Sequence, residues 1–187
     1  MMDEKPGKPE TASSERLPRP ERLPEPWLRG THAELAPVVR AVLHSLEMAR
    51  EDIQKWSGGL DDAAMLEKPF GLPSPASQLQ HIAGSLDRFM TYAEGRALST
   101  EQLSAVAAEK NSPSGKDAAL REFVERIEAA ERWLATRQPL PLESQLKIGR
   151  KGLPTTVGGL LVHMAEHTQR HVGQAITTMK IVTATRA

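Results

Sequence analysis

Three histidines recur at a constant spacing of four in the stretch HMAEHTQRHVGQ, residues 163–174: His163, His167 and His171. On a helix a step of four advances only about 40° around the axis, so these imidazoles form a slowly drifting stripe. Two imidazoles one turn apart make a bidentate platform for a borderline divalent metal, because both rings can direct a nitrogen at one point ~2.1 Å away. With Met164 as the centre of the inward face, His171 falls about 20° from it and His167 about 60°. His163 and Gln174 sit further out on the flank to which His167 leans. Glu166 turns away from the stripe, which removes it as a general base, and Gly173 and Lys180 also face outward. Two core imidazoles without partners would cost on the order of 2 kcal/mol or more each, so the sequence requires partners for them.

One source of partners lies in HIAGSLDRFMTYAEG, residues 81–95, where His81, Ser85, Arg88 and Tyr92 follow one another at steps of four, three and four. Two schemes compete for them. In the first, the histidines hydrogen-bond to Ser85, Tyr92, Gln174 or buried water and only fix helix register. In the second, His81 joins His167 and His171, and three imidazoles from two helices form a facial set with open positions for water or substrate.

The elements that must position these side chains are helical. Leu35, Val39, Val42, Leu46, Ile53 and Trp56 make a seam over residues 35–57, with Pro37 tolerated only in the first turn and Gly58-Gly59 as the stop. Relative to that seam His44 points about 180° away, which predicts a solvated surface histidine. His32, just ahead of the helix, reads as a fraying or capping residue. Residues 58–73 form a connection in which DDAAMLEK adds a turn of helix. Ser74-Pro75 opens a second long helix reaching about Gly95, with Leu79, Ile82, Leu86, Phe89, Met90 and Ala93 inward. A short helix falls within residues 99–110, NSPSGKD is a loop, and a third long helix covers 116–137. Its stripe is Leu120, Phe123, Val124, Ile127, Ala130, Trp133 and Leu134. Glu122, Glu125, Arg126, Glu128, Glu131 and Arg132 form its wet face, where no site is expected. SQLKIGRKGLP reads as a short extended excursion with Arg150 and Lys151 solvated. The last helix spans about 155–182, with Val157, Leu160, Leu161, Thr168, Ala175, Met179 and Val182 on the core side.

Composition narrows the chemistry. The 187 residues carry 24 Lys and Arg against 24 Asp and Glu, so bulk charge gives no reason to expect nucleic acid or an anionic membrane surface as partner. There is no cysteine, so ligands must be imidazole or carboxylate and any thiol must come from outside. Residues 1–26 are charged and proline-rich and read as a flexible tail, with Trp27 and Leu28 as the point where the chain docks onto a single domain over 27–187. No secretory h-region and no run of ~18 apolar residues is present, which predicts a cytoplasmic protein.

The pairing of HIAGSLDRFMTYAEG with HMAEHTQRHVGQ resembles the DinB-like superfamily of metal-binding helical bundles, over most of residues 27–182. The specific elements are a histidine on the second helix, here His81, and H-x-x-x-H-x-G-Q on the last, here His167, His171 and Gly173-Gln174. The position before that glycine, often arginine in the family, is Val172 here. The resemblance implies an all-α, up-down-down-up four-helix bundle, often a homodimer, whose His81, His167 and His171 bind a divalent metal such as zinc or nickel. It leaves His163 unassigned. Relatives include transferases and isomerases that use a low-molecular-weight thiol, so the expected function is a metal-dependent thiol transferase or hydrolase acting on a small molecule. Ser85, Tyr92 and Gln174 are then candidates to orient ligands. A non-catalytic, metal-stabilised dimeric interaction module is the alternative, and a metal-free bundle with core histidines the third reading.

Overall fold

Proline and hydroxyl residues set where the helices begin. The computed structural model describes residues 23–108 and 114–186; most of the expected tail, residues 1–22, lies outside the described residues. Helix α1, Pro37–Ser57, starts on its proline, where the missing N–H would have lacked an intrahelical partner in any case. A single turn, α2, covers Asp62–Leu66 and is capped by Asp61, whose carboxylate accepts from the Ala64 N–H at 2.7 Å. Helix α3, Pro75–Ala93, combines both devices: Pro75 stands at its first position and the Ser74 hydroxyl accepts from the Ser77 N–H at 3.2 Å. Short helix α4 spans Thr100–Ala108 and long helix α5 spans Lys116–Thr136.

The extended excursion is a two-stranded antiparallel hairpin, β1 Gln145–Ile148 and β2 Leu153–Thr156, paired Gln145 to Thr156 and Ile148 to Leu153. Gly149 and Gly152 both take positive φ in its turn, the conformation that glycine adopts without a Cβ penalty. Arg150 and Lys151 are exposed there, as expected for solvated turn residues. Thr155 and Thr156 belong to β2, so the last helix, α6, starts at Val157, and its 30 residues end at Arg186 rather than near 182. The extra turn is held by Arg186, which pairs with Glu67 at 2.8 Å and Asp61 at 2.9 Å.

The molecule is mainly helical, and its four long helices share one core. Helices α1 and α3 each pack on both α5 and α6, closing a ring in which α1 and α3 lie across from one another. Val39, Val42, Leu46 and Ile53 of α1, Leu79, Ile82 and Leu86 of α3, Phe123, Ile127 and Leu134 of α5, and Leu161, Met164, Ala175, Met179 and Val182 of α6 fill it. These are the 3-and-4-spaced residues that give each helix an apolar stripe. None of the helices among the described residues is long and apolar enough to cross a membrane.

Around the start of α1 the structure departs from expectation in detail. The chain does meet the body at Pro26–Leu28, which packs on α1, but the Trp27 and Leu28 side chains stay 60% and 56% exposed. The fastening comes from the buried Pro26 and Leu35 and from a two-bond pairing of Arg29 with Glu51, at 2.6 and 2.8 Å. His44 is buried, at 7% exposure, because the segment ahead of the helix folds back over that flank and Thr31 Oγ1 lies 3.0 Å from its Nε2. The helical wheel registers the bundle seam but not a non-helical strap across the opposite side. His32 is no frayed residue either: its Nε2 lies 2.9 Å from Glu47 Oε1.

Ser74→Ala removes the cap of the helix that carries His81. The variant is expected to lose about 1 kcal/mol of stability, read as a lowered urea midpoint at unchanged m-value.

Candidate metal centre

Helices α3 and α6 are direct neighbours, and three imidazoles meet across their contact. His81 Nε2 lies 3.3 Å from His167 Nε2. The His171 ring stands 4.4 Å from that of His81 and 4.5 Å from that of His167, centroid to centroid. One donor nitrogen from each residue lies within 4.8 Å of the others, so the group could hold a metal ion. The i, i+4 spacing stacks His167 and His171 on consecutive turns of α6, and His81 closes the triangle from α3.

Electrostatics keep the His167 and His171 rings available as ligands. Burial is the main cause that pushes the His167 pKa down to about 3, and the neighbouring imidazoles of His171, His81 and His163 add to it. His171 is lowered as well, first by burial and then by His81, with a hydrogen bond to Gln174 opposing the shift. A neutral imidazole keeps a lone pair, the form in which it binds a metal. In His171, Nδ1 lies 2.8 Å from Gln78 Oε1. With that oxygen accepting, Nδ1 carries the hydrogen and Nε2 keeps the lone pair, the outer-shell arrangement that fixes the tautomer of metal-binding histidines. His167 Nδ1 is buried without a hydrogen-bond partner. Among the described residues the group consists of three imidazoles, a donor set that suits a divalent cation of the zinc or nickel type.

The other side chains singled out in the sequence separate on inspection. His163 is exposed; its ring lies 5.6 Å from that of His167, and it falls outside the three-donor group. Phe89, read from the sequence only as core, presents its edge to both His163 and His167 at 5.2 and 5.3 Å and walls that side. Ser85 is engaged by Arg88, whose Nη2 donates to its hydroxyl at 2.9 Å, and neither Ser85 nor Tyr92 is hydrogen-bonded to the histidines among the described residues. Gln174 does reach His171. Gln78 was missed, although it stands three residues before His81 and so on the same helical face. His171 does not occupy a leucine-like place at the core centre: it is half-buried at the edge of a cleft, and Val172 takes the buried position. Glu166 is exposed, in keeping with the wheel.

The cleft is a cavity of about 520 Å3 bordered by Lys68, Gln78, His81, Arg88, His171 and Gln174. An adjoining hollow of similar volume shares Gln78 and Gln174 and has Arg170 on its wall. His81 and His171 therefore face a space large enough for a small molecule, with cationic side chains around it.

A helical bundle with a three-imidazole group between two of its long helices belongs to the class of bundles that build metal sites in their interhelical contacts. Comparison with known families places it more closely. Residues 45–175 match the family described as the DinB superfamily, and the chain belongs to that superfamily; the matched segment contains all three histidines. No individually curated protein sequence matches the chain.

Two measurements probe this geometry. Gln78→Leu removes the acceptor for His171 Nδ1–H and is expected to weaken zinc binding about 10- to 100-fold, read by competition with a chelating dye. In metal-free protein, His167 titrates near 6.5 when unfolded but far lower when folded. Between those values the unfolded chain binds more protons, so stability is complete above pH 6.5 and falls as pH is lowered. The slope is at most about 1.4 kcal/mol per pH unit for one group, less with solvent screening. Urea midpoints measured from pH 7 to 4 should decline in wild type and decline less steeply in His167→Leu, with His171 retaining part of the dependence.

Proposed function

We propose that this chain is a metal-dependent enzyme that transfers a group to or from an external low-molecular-weight thiol on a small-molecule substrate, with His81, His167 and His171 holding the metal. The proposal includes the up-down-down-up order of the four long helices and a homodimeric, cytoplasmic protein. The observation that carries it is the meeting of three imidazoles beside a cleft that His81 and His171 border. A closed structural site would spend its fourth position on another protein ligand, and His163, the nearest further imidazole on α6, stays outside the group.

When bound, a divalent ion held by neutral ligands lowers the pKa of a coordinated thiol or water toward neutrality and so supplies a nucleophile near pH 7. The protein's own residues do the remaining work. Gln78 keeps the His171 Nε2 lone pair turned toward the shared point, and Gln174, on the same imidazole and on the cleft wall, orients what enters. Phe89 packs edge-to-face against His167 and His163 and so limits movement of the rings on that side. Lys68 and Arg88 border the cleft, where their charge favours a substrate or thiol carrying a carboxylate. The absence of cysteine from the chain agrees with a thiol that arrives as a co-substrate. Hydrolysis, with water in the place of the thiol, uses the same arrangement.

Protein purified without a histidine tag should contain about one equivalent of zinc or nickel at this group, and His171→Ala should lose it, as measured by elemental analysis. Metal-loaded wild type should consume a cellular thiol in the presence of a suitable electrophile. A metal-loaded protein inert toward a broad panel of thiols, electrophiles and hydrolysable esters and amides would favour the non-catalytic, metal-stabilised dimer. Absence of metal from wild type, with no tight uptake on titration, would refute both.

A further inference from the structure

A second set of metal-type donors lies on α1 and the strap ahead of it, elements that contribute nothing to the histidine group on α3 and α6. His44 and Glu47 are three residues apart on α1 and share a face. His32 comes from the strap, where its backbone takes φ +59°, an uncommon and costly conformation for a residue with a Cβ. That turn directs the imidazole back onto the helix, with Nε2 2.9 Å from Glu47 Oε1. The His32 and His44 rings are 5.6 Å apart, and one donor atom each from His32, His44 and Glu47 falls within 4.8 Å of the others. Donors bound tetrahedrally at about 2.0–2.2 Å stand roughly 3.4 Å apart, so modest side-chain movement closes the set.

The surroundings are rich in carboxylates, with Glu51, Glu128 and Glu131 near the group. Glu131 of α5 was expected on a wet face, yet its Oε1 is buried with no hydrogen-bond partner. Its nearest cation, Arg50, stands 3.6 Å from that oxygen and also faces Glu128 at 3.8 Å. Glu47 and His32 are both near enough for their charges to act on the Glu131 carboxyl. Burial raises the Glu131 pKa and Arg50 opposes that shift; Arg50 also acts, with Arg29, on the neighbouring Glu51, while Glu47 acts on Arg29. A cavity of about 370 Å3, bordered by Trp27, Thr31, Arg40 and His44, reaches the buried imidazole from solvent.

We propose that His32, His44 and Glu47 form a second divalent-metal site, of the zinc type, that fastens the strap to α1. Two imidazoles and one carboxylate are a donor set that zinc accepts, and three protein donors leave a position for water. The site is separate in residues and elements from the His81, His167 and His171 group, so each can be removed alone.

The test is zinc uptake by the full chain, by equilibrium dialysis with elemental analysis, in a crossed set of variants. Wild type should bind two equivalents, His167→Ala/His171→Ala one, Glu47→Gln one, and the combined triple variant none. Glu47→Gln keeps the size of the side chain and removes its charge, and His32→Ala, in a half-buried residue outside the helix, supplies a second route to the same loss. Each should weaken the second equivalent at least tenfold. The proposal is overturned if the double histidine variant, with helical circular dichroism intact, binds no zinc, or if Glu47→Gln and His32→Ala leave its remaining equivalent unchanged. A wild type that binds one equivalent, lost in Glu47→Gln and kept in the double variant, would uphold this site and refute the metal site of the proposed function.

Discussion

The apolar packing of α3 against α6 is the constraint around which the structure is built, and it holds His81 Nε2 3.3 Å from His167 Nε2. Two imidazole nitrogens facing one another at that distance share one hydrogen at most, and burial holds His167 neutral, so the contact has little attraction of its own. It persists because α3 and α6 are fixed by apolar packing on either side of it. Leu79, Ile82 and Leu86 on one helix and Leu161, Met164 and Ala175 on the other are fully buried. At about 1.5–3 kcal/mol for each large side chain of this kind, their burial outweighs the penalty of desolvating three polar rings. The core positions the site, and the site contributes little to the core.

The same division explains which parts were legible in the sequence. Helix limits came through where a residue acts locally: Pro37 at the start of α1, Ser74-Pro75 at the start of α3, and the glycines of the hairpin turn. The inward faces of α3, α5 and α6 came through because a bundle seam has a period and its residues are apolar. The meeting of His81, His167 and His171 was legible because an imidazole on such a face demands a partner, and family resemblance supplied the pairing across helices.

What escaped depends on contacts without a period. The strap over α1 is irregular, so nothing in the wheel of residues 35–57 shows that His44 is covered or that His32 reaches Glu47. Glu131 belongs to a charged face by composition, and only the proximity of α1 shows that one of its oxygens is shut off from solvent. Gln78 was hidden for a different reason. It lies one turn from His81, but its partner is His171 on another helix, and a polar residue at a core edge reads as solvated until that neighbour is placed.

The 30-residue continuity of α6 bears on the order in which binding and folding occur. His167 and His171 come into register whenever that one helix forms, whereas His81 joins them only when α3 has docked. A chain with α6 formed and α3 loose would already offer a two-donor chelate, so a cation would bind the partly assembled and the native forms alike, though unequally. By linkage, the stabilisation conferred on the native state reflects only the ratio of its affinity to that of the looser form. The third imidazole would thus set how far a bound metal favours docking of α3, and the first two how early in assembly a metal could be captured.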